Sequence, residues 1–486
     1  MTTALAPAEG TNSSTSPAAE GTSRRRWLIL AVVLVAEVMD LLDATVTTIA
    51  APTVRADLGG STSLLQWLTT AYLMPFAVFL ITGARLGDIY GRRRVFLIGA
   101  VGFTVASLLC GLATSPAMIL STRALQGAFG ALLIPQGFGV IKEVWPEDQI
   151  QKAFAAFGPV MGLSAVCGPI LAGSLIDADI AGSSWRAIFL LNLPLGIAAV
   201  IGALRIFPKS RTLHDGKLDV VGVLVVGAAM FAIIYPLVEG RDHGWPVWMF
   251  VLLGAGVVAM GGYARTMLNA RDGRATLVEP SLLRNGTFLS GLTVATAYFA
   301  AMSGLMITFS LFAQLGLGYS PLHAGLSMAP LPLGIAFSAP ASFAIVPKLG
   351  RKVLHLGFAV LGGGMALLAV MVMHAGRGTS TWTMVPGTLT AGIGMGFVMA
   401  PLFNVILNGV EDIEVGSASG VLNAIQQMAS ALGIAIVGTI LFAFLDDGST
   451  SWDAFGWTVL ASIGLLVIAA ALAFRLPHEA RAEDAH

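Results

Sequence analysis

Charge is scarce in this chain. Only 11% of its 486 residues are Asp, Glu, Lys or Arg, and 56% are hydrophobic, whereas a soluble globular chain carries about a quarter charged residues. The 27 basic and 27 acidic residues cancel, so no basic excess points to nucleic acid. Cysteine is nearly absent. Cys110 and Cys167 fall in different apolar stretches, which argues against a disulfide framework or a zinc cluster. The seven histidines are scattered, with no metal-ligand spacing and no nucleophile motif beside them. A G-x-x-x-x-G-K-[ST] phosphate loop is missing too, which argues against an ATP-driven pump. No enzyme, resident metal or cofactor is expected.

Long apolar runs are abundant. Runs of about 20 residues, each suited to a hydrocarbon layer about 30 Å thick, recur from Trp27 to Phe474. A β-barrel would show short alternating segments instead. The expected class is an all-α polytopic membrane protein. Fourteen spans are predicted: 27–51, 64–86, 95–113, 117–141, 152–177, 185–205, 218–238, 246–267, 287–310, 322–346, 353–374, 383–407, 419–445 and 455–475. They divide into a six-helix bundle at 27–207, an inserted helix pair with polar linkers at 208–286, and a second six-helix bundle at 287–475. Residues 1–26 read as a disordered tail and 476–486 as a second tail. A signal peptide fits poorly, because the first apolar run is too long, contains acids and lacks a small-x-small cleavage site.

Basic residues orient the spans. With a cytoplasmic N-terminus, 22 Lys and Arg fall on the cytoplasmic side and 4 on the other: Arg55, Arg186, Arg241 and Arg377. Arg123 remains inside a span. That bias predicts that both termini lie in the cytoplasm. Two similar halves suggest a transporter that binds its substrate between repeats.

The first span contains "AEVMDLLDAT", with Glu37, Asp40 and Asp43. One Asp at the bilayer centre costs about 2.5–3.5 kcal/mol, so three acids cost roughly 8–10. The span's five Leu, two Ile and five Val offset about half of that. At 100° per residue the three acids share a 120° arc, so one face can turn all of them away from lipid. They form a ladder of sites able to take up and release protons. For any one of them, a structural hydrogen bond to a neighbouring helix is the alternative. Arg123 is the matching cation, and a carboxylate of the first span is its expected partner. Protonation of that carboxylate would weaken the pair and switch between two packings. A static structural pair is the alternative.

Small residues mark the fifth span, "AFGPVMGLSAVCGPILAGSL", where Gly168, Pro169 and Gly173 allow close packing or bending. "GARLGDIYGRRRVF" between spans 2 and 3 sets Gly87 and Asp88 before Gly91, Arg92, Arg93 and Arg94. "PKLGRK" (347–352) echoes it at the corresponding place in the second half.

Together, in this order, the motifs resemble the 14-span drug:proton antiporter group of the major facilitator superfamily over about residues 27–475. "LLDATVTTIAAP" is similar to the group's first-span signature, with Asp43 and Pro52 at its aspartate and proline. Leu86, Gly87, Asp88, Gly91 and Arg92 to Arg94 match the signature between spans 2 and 3, which departs at Ala84 and Ile89. Arg123, Gln126 and Gly127 match the fourth-span signature. Gly168, Pro169 and Gly173 match the antiporter signature, with Ser164 and Ala172 in place of two glycines. "SSWRAIFLLNLPLGI" resembles the start of the sixth span. The resemblance implies alternating access, with Asp43 and Arg123 in proton coupling beside Asp40 and Glu37. It also implies Asp88 in a cytoplasmic gate and span 5 in export.

For a substrate cavity the candidates are Gln126, Gln314, Asn404, Asn423, Gln426, Gln427, Met302 and Phe309, amides and adaptable apolar groups. An amphipathic drug or antibiotic is the expected substrate, exported against protons by a monomer in the lipid bilayer. The rival expectation is a proton-coupled symporter importing a small nutrient or organic anion.

Overall fold

The computed structural model describes residues 17–146, 149–209, 218–269, 276–411 and 414–476. Residues 1–16 and 477–486, and the centres of both linkers around the inserted pair (210–217 and 270–275), lie outside the described residues.

Seventeen α-helices follow in chain order, and the described residues contain no strand. The first half comprises α1 (Pro17–Leu58), α2 (Leu64–Tyr90), α3 (Arg92–Gly111), α4 (Pro116–Val144), α5 (Ile150–Ala155), α6 (Phe157–Ala178) and α7 (Arg186–Ile206). The inserted pair is α8 (Val220–Glu239) and α9 (Val247–Leu268). A short α10 (Pro280–Arg284) leads into α11 (Gly286–Leu311), α12 (Pro321–Met328), α13 (Pro330–Leu349), α14 (Lys352–Ala375), α15 (Thr381–Leu407), α16 (Val415–Asp446) and α17 (Ser451–Ala473).

Two expected spans are interrupted. The fifth is α5 plus α6, broken at Ala156, and the tenth is α12 plus α13, broken at Ala329. At the second break Pro330 opens α13, where a missing N–H costs nothing. The first span is longer than its apolar stretch. Helix α1 begins at Pro17 and runs through Pro52 to Leu58, so residues 17–26, expected to belong to a disordered tail, are helical. It stops where Gly59 and Gly60 adopt positive φ values of 74° and 106°.

Thirteen helical runs among the described residues are long and apolar enough to cross a membrane. Helix α1, with its three acids, is not among them, and its packing supplies the fourteenth crossing. At one end Arg25 Nε and Nη2 donate to Ile206 O at 3.2 and 3.0 Å, at the C-terminus of α7. At the other, Arg186 Nη1 and Trp185 Nε1, at the start of α7, donate to Asp57 at 2.7 and 3.0 Å. Helix α1 therefore runs antiparallel to all of α7 and traverses the same layer.

The halves repeat one packing plan. In the first, α1 packs on α6 and α7, α2 on α4, and α3 on α4 and α7. In the second, α11 packs on α16 and α17, α13 on α15, and α14 on α15 and α17. These are the same five pairings in corresponding order. The connecting turns echo each other as well. Gly91 (φ 92°) and Gly350 (φ 51°) turn the chain at matching places. The arginines behind them reach the last helix of their own half: Arg93 donates to Leu204 O and Arg351 to Phe474 O and Leu476 O. Cations there also complement the helix C-terminal dipoles.

Contacts between the halves gather at the end opposite Arg25 and Arg92, the end of Asp57 and Arg186. Ser310 of α11 and Gln314, in the π-helical turn that follows it, donate to Thr48 O and Ile49 O of α1 at 2.9 and 3.1 Å. Gln66 of α2 donates to Ile434 O and Ala435 O of α16. Asp177 of α6 accepts from Ser320 Oγ and Leu322 N at the start of α12. Helices α6 and α12 touch closely there. A Cβ on Gly173 would lie 2.4 Å from Leu322 Cα, and one on Gly325 2.4 Å from Pro169 O. Among the described residues these bonds between the halves have no counterpart at the basic end, where the halves part. Gly158 and Gly162 of α6, and Gly416 and Gly420 of α16, have open space where a side chain would stand.

Candidate functional site

A buried polar cluster sits inside the first half. Asp43 is fully buried. Its Oδ2 pairs with Arg123 Nη1, and its Oδ1 accepts from Gln126 Nε2 at 2.7 Å and Asn192 Nδ2 at 3.0 Å. Arg123 is fully buried too. Its Nη1 also donates to Gln126 Oε1 at 2.7 Å and its Nε to Leu68 O at 3.1 Å. The guanidinium lies over the Tyr72 ring, 4.5 Å from its centroid, and Arg is the cation suited to such combined stacking and pairing. Ser107 Oγ accepts from Gln126 Nε2 at 2.8 Å.

Helical spacing assembles the cluster. Asp40 and Asp43 lie one turn apart on α1, as do Arg123 and Gln126 on α4 and Leu68 and Tyr72 on α2. Helices α3 and α7 add Ser107 and Asn192. Glycine lets α2 and α4 come close, since a Cβ on Gly127 would lie 2.1 Å from Tyr72 O. Arg123 was expected to pair with a carboxylate of the first span, and Asp43 is that partner, held by three donors in all. Removing one partner of such a buried pair costs about 3–5 kcal/mol.

The other two acids differ in their surroundings. Asp40, 8% exposed, accepts from Tyr72 Oη. Glu37, 6% exposed, has an Oε1 with no hydrogen-bond partner among the described residues. Arg123, Tyr72 and Asp40 are thus contiguous, so a change at Asp43 can reach Asp40 through the guanidinium and the phenol. Beyond the apolar stretch of α1, Asp57 is held below the usual carboxylate range by the hydrogen bonds from Trp185 and Arg186.

At the basic end, Asp88 binds Arg92 Nη2 at 3.0 Å, and Arg92 Nε reaches Glu143 of α4 at 3.3 Å. Gly87 leaves room for Gln136, whose Nε2 donates to Gly83 O at 2.7 Å. The motif therefore ties α2, α3 and α4 together within the first half. Pro169 and Gly173 lie in the contact with α12, and a Cβ on Gly168 would meet Thr45 Oγ1 of α1 at 2.4 Å.

The residues named for a cavity separate. Gln126 belongs to the Asp43 cluster, and Gln314, just past α11, bonds to α1. Met302 and Phe309 are buried, and Phe309 stacks edge-on against Phe455. Asn404 and Asn423 are exposed, and Gln426 and Gln427 are half-buried. These four lie toward the basic-end portions of α15 and α16, where the halves part. Tyr72, Ser107 and Asn192 were not anticipated. Asn192 did carry a signal, as a polar residue within the apolar "FLLNLPLGI".

Comparison with known proteins follows the same lines. Residues 33–434 match the Major Facilitator Superfamily. The chain is 46% identical over 450 residues to a probable actinorhodin transporter of Streptomyces coelicolor, covering 92% of this chain and 78% of that protein. It is 34% identical to a puromycin resistance protein of Streptomyces alboniger, covering 95% and 93%. It is 30% identical to a tetracenomycin C resistance and export protein of Streptomyces glaucescens, covering 88% and 78%. Among solved structures, a POT family transporter superposes with a TM-score of 0.66 at 17% identity, covering 90% of this chain and 94% of that one. That likeness carries the fold alone.

Proposed function

Because the chain belongs to the major facilitator superfamily, a family of transporters rather than enzymes, we propose that it exports amphipathic drugs or antibiotics in exchange for protons. The carrying observation is the buried set of carboxylates on α1, with Asp43 clamped by Arg123 and Glu37 left partly unpartnered. Membrane-buried acids and bases of this kind mark proton and substrate pathways. The names of the relatives, an actinorhodin transporter and puromycin and tetracenomycin resistance proteins, support an antibiotic-like substrate.

The cycle uses the two halves as rigid bodies. With the basic end in the cytoplasm of a bacterial inner membrane, the splayed end admits substrate from the cytoplasm or inner leaflet. Asn404, Asn423, Gln426 and Gln427 meet it there. After the halves rock to open outward, a proton reaches the α1 acids. Protonation of Asp43 loosens its hold on Arg123, the guanidinium shifts over Tyr72, and Asp40 registers the change. Substrate leaves outward, the halves return, and the proton leaves inward. Asp88 and Arg92 steady the cytoplasmic gate, while Gly168, Pro169 and Gly173 let α6 move against α12. Each proton crossing 100 mV supplies about 2.3 kcal/mol, roughly fiftyfold in substrate gradient. The transporter works as a monomer.

The test uses purified protein in liposomes with an acidic interior. Wild type should accumulate members of a panel of dyes and antibiotics, and Asp43→Asn should not. Entry of a nutrient together with protons, with no panel compound moved, would replace export with import.

A further inference from the structure

The inserted pair α8–α9 lies across the seam between the halves. Helix α8 packs on α2 of the first half and on α16 of the second, whereas α9 packs on α8 and faces outward. Burial deepens along α8, although Gly222 and Val223 are already buried near its start. At the basic end Val220, Val221 and Leu224 are 59%, 65% and 67% exposed; toward the other end Met230, Ile234 and Val238 are 2%, 1% and 2% exposed.

Polar bonds reach from that buried end to both halves. Toward the first, Glu239 Oε1 accepts from Ser63 Oγ at 2.9 Å and Trp67 Nε1 at 2.7 Å. Arg241 Nη2 donates to Thr62 Oγ1. Phe231 and Tyr235 pack on the Trp67 ring, with centroids 6.4 and 6.3 Å apart. Toward the second, Leu237 O accepts from Thr439 Oγ1 at 2.5 Å. Arg241 Nε pairs with Asp446 at 3.4 Å, and its guanidinium lies 4.8 Å from the Phe442 ring centroid. A single residue, Arg241, thus holds the turn that leads into α2 and the end of α16 at once, beside the direct bonds from Gln66 to α16.

We propose that the inserted helix pair is a strap that fastens the seam on the side away from the basic end, and that Glu239 and Arg241 are its clasps. The strap adds its bonds only while α2 and α16 stand together, so it biases the equilibrium toward the conformation closed there. Opening requires one set of clasps to release, and the pair then rides with the half whose clasps still hold.

The experiment measures the distance across the seam, so its outcome is independent of what the protein transports. Spin labels at Ile180→Cys in the first half and Asp447→Cys in the second, both exposed positions, report the separation in nanodiscs. Exposed Cys167 is replaced by Ser, and buried Cys110 stays in place. Wild type should show a dominant short distance. Glu239→Ala with Arg241→Ala should raise the ratio of long to short populations about tenfold, the effect of one charged hydrogen bond. Glu239→Gln, which keeps an acceptor for Ser63 and Trp67, should stay near wild type. If the double variant does not fold, Thr439→Val and Trp67→Phe carry the test, each shifting the ratio in the same direction by a smaller factor. An unchanged ratio in folded variants overturns the strap. So does an equal shift from Val258→Ala on the exposed face of α9.

Discussion

The two halves pair their helices in the same five ways and bury different chemistry. Among the described residues, the buried charged side chains are Glu37, Asp40, Asp43 and Arg123, all in the first half. The second half buries hydroxyls and one amide instead, such as Thr308, Ser310, Gln314 and Ser462. A common scaffold therefore carries two specialised interiors. The first buries titratable side chains, and the second offers neutral polar and apolar surface where the halves part.

Breaking the charged cluster should have the largest effect. Arg123→Ala strands Asp43 without its cation. Thermal unfolding should show a loss of about 3–5 kcal/mol, and gradient-driven transport should vanish. Combining Arg123→Gln with Asp43→Asn should recover much of the stability and none of the transport.

The contact between halves comes next. Gly173→Val would drive a side chain into the backbone of Leu322. Transport should fall at least tenfold while the fold is kept, because the first half does not need that position empty for its own packing. Measuring transport together with the unfolding midpoint separates the two effects.

A smaller loss is expected at Asn192→Ala, which removes one of three donors to Asp43. The cost should be about 1–3 kcal/mol in stability, as for one hydrogen bond to a buried charged group. In the second half, Asn423→Ala should change the half-saturating concentration for some panel compounds and leave proton coupling intact. An equal loss of coupling there would erase the distinction between the halves.

The smallest effect belongs to Asp57, 46% exposed at its pair with Arg186. Its carboxyl titrates lower in the folded protein than in the unfolded chain. Its contribution is therefore present above the unfolded value and fades as pH falls through the lower folded value. Asp57→Asn should leave unfolding near neutrality within about 1 kcal/mol of wild type, as for a surface pair, and flatten the acid limb slightly.

Much of the architecture was legible because lipid imposes a simple rule. Apolar runs long enough to cross, and the placement of arginines between them, give the spans and the repeat. The three acids on one arc of α1 pointed to a buried site, and Arg123 to its counter-charge. What remained hidden depends on tertiary packing. Asn192 meets Asp43 across 149 residues of chain, and Tyr72 reaches Asp40 from α2. Neither pairing leaves a local signature. The breaks at Ala156 and Ala329 fall inside apolar stretches that composition reads as continuous. The first span was expected to end at residue 51, yet the helix continues through Pro52 to Leu58. The seat of α8 on both halves is a relation among three distant segments, invisible to periodicity.

The most direct measurement compares two modes of transport in one preparation of Asp43→Asn. Counterflow exchanges labelled for unlabelled substrate without a pH gradient, whereas accumulation requires one. If the α1 acids couple protons to export, counterflow should persist near the wild-type rate while gradient-driven accumulation is lost. Loss of both in equal proportion would contradict the account and leave Asp43 as a structural partner of Arg123.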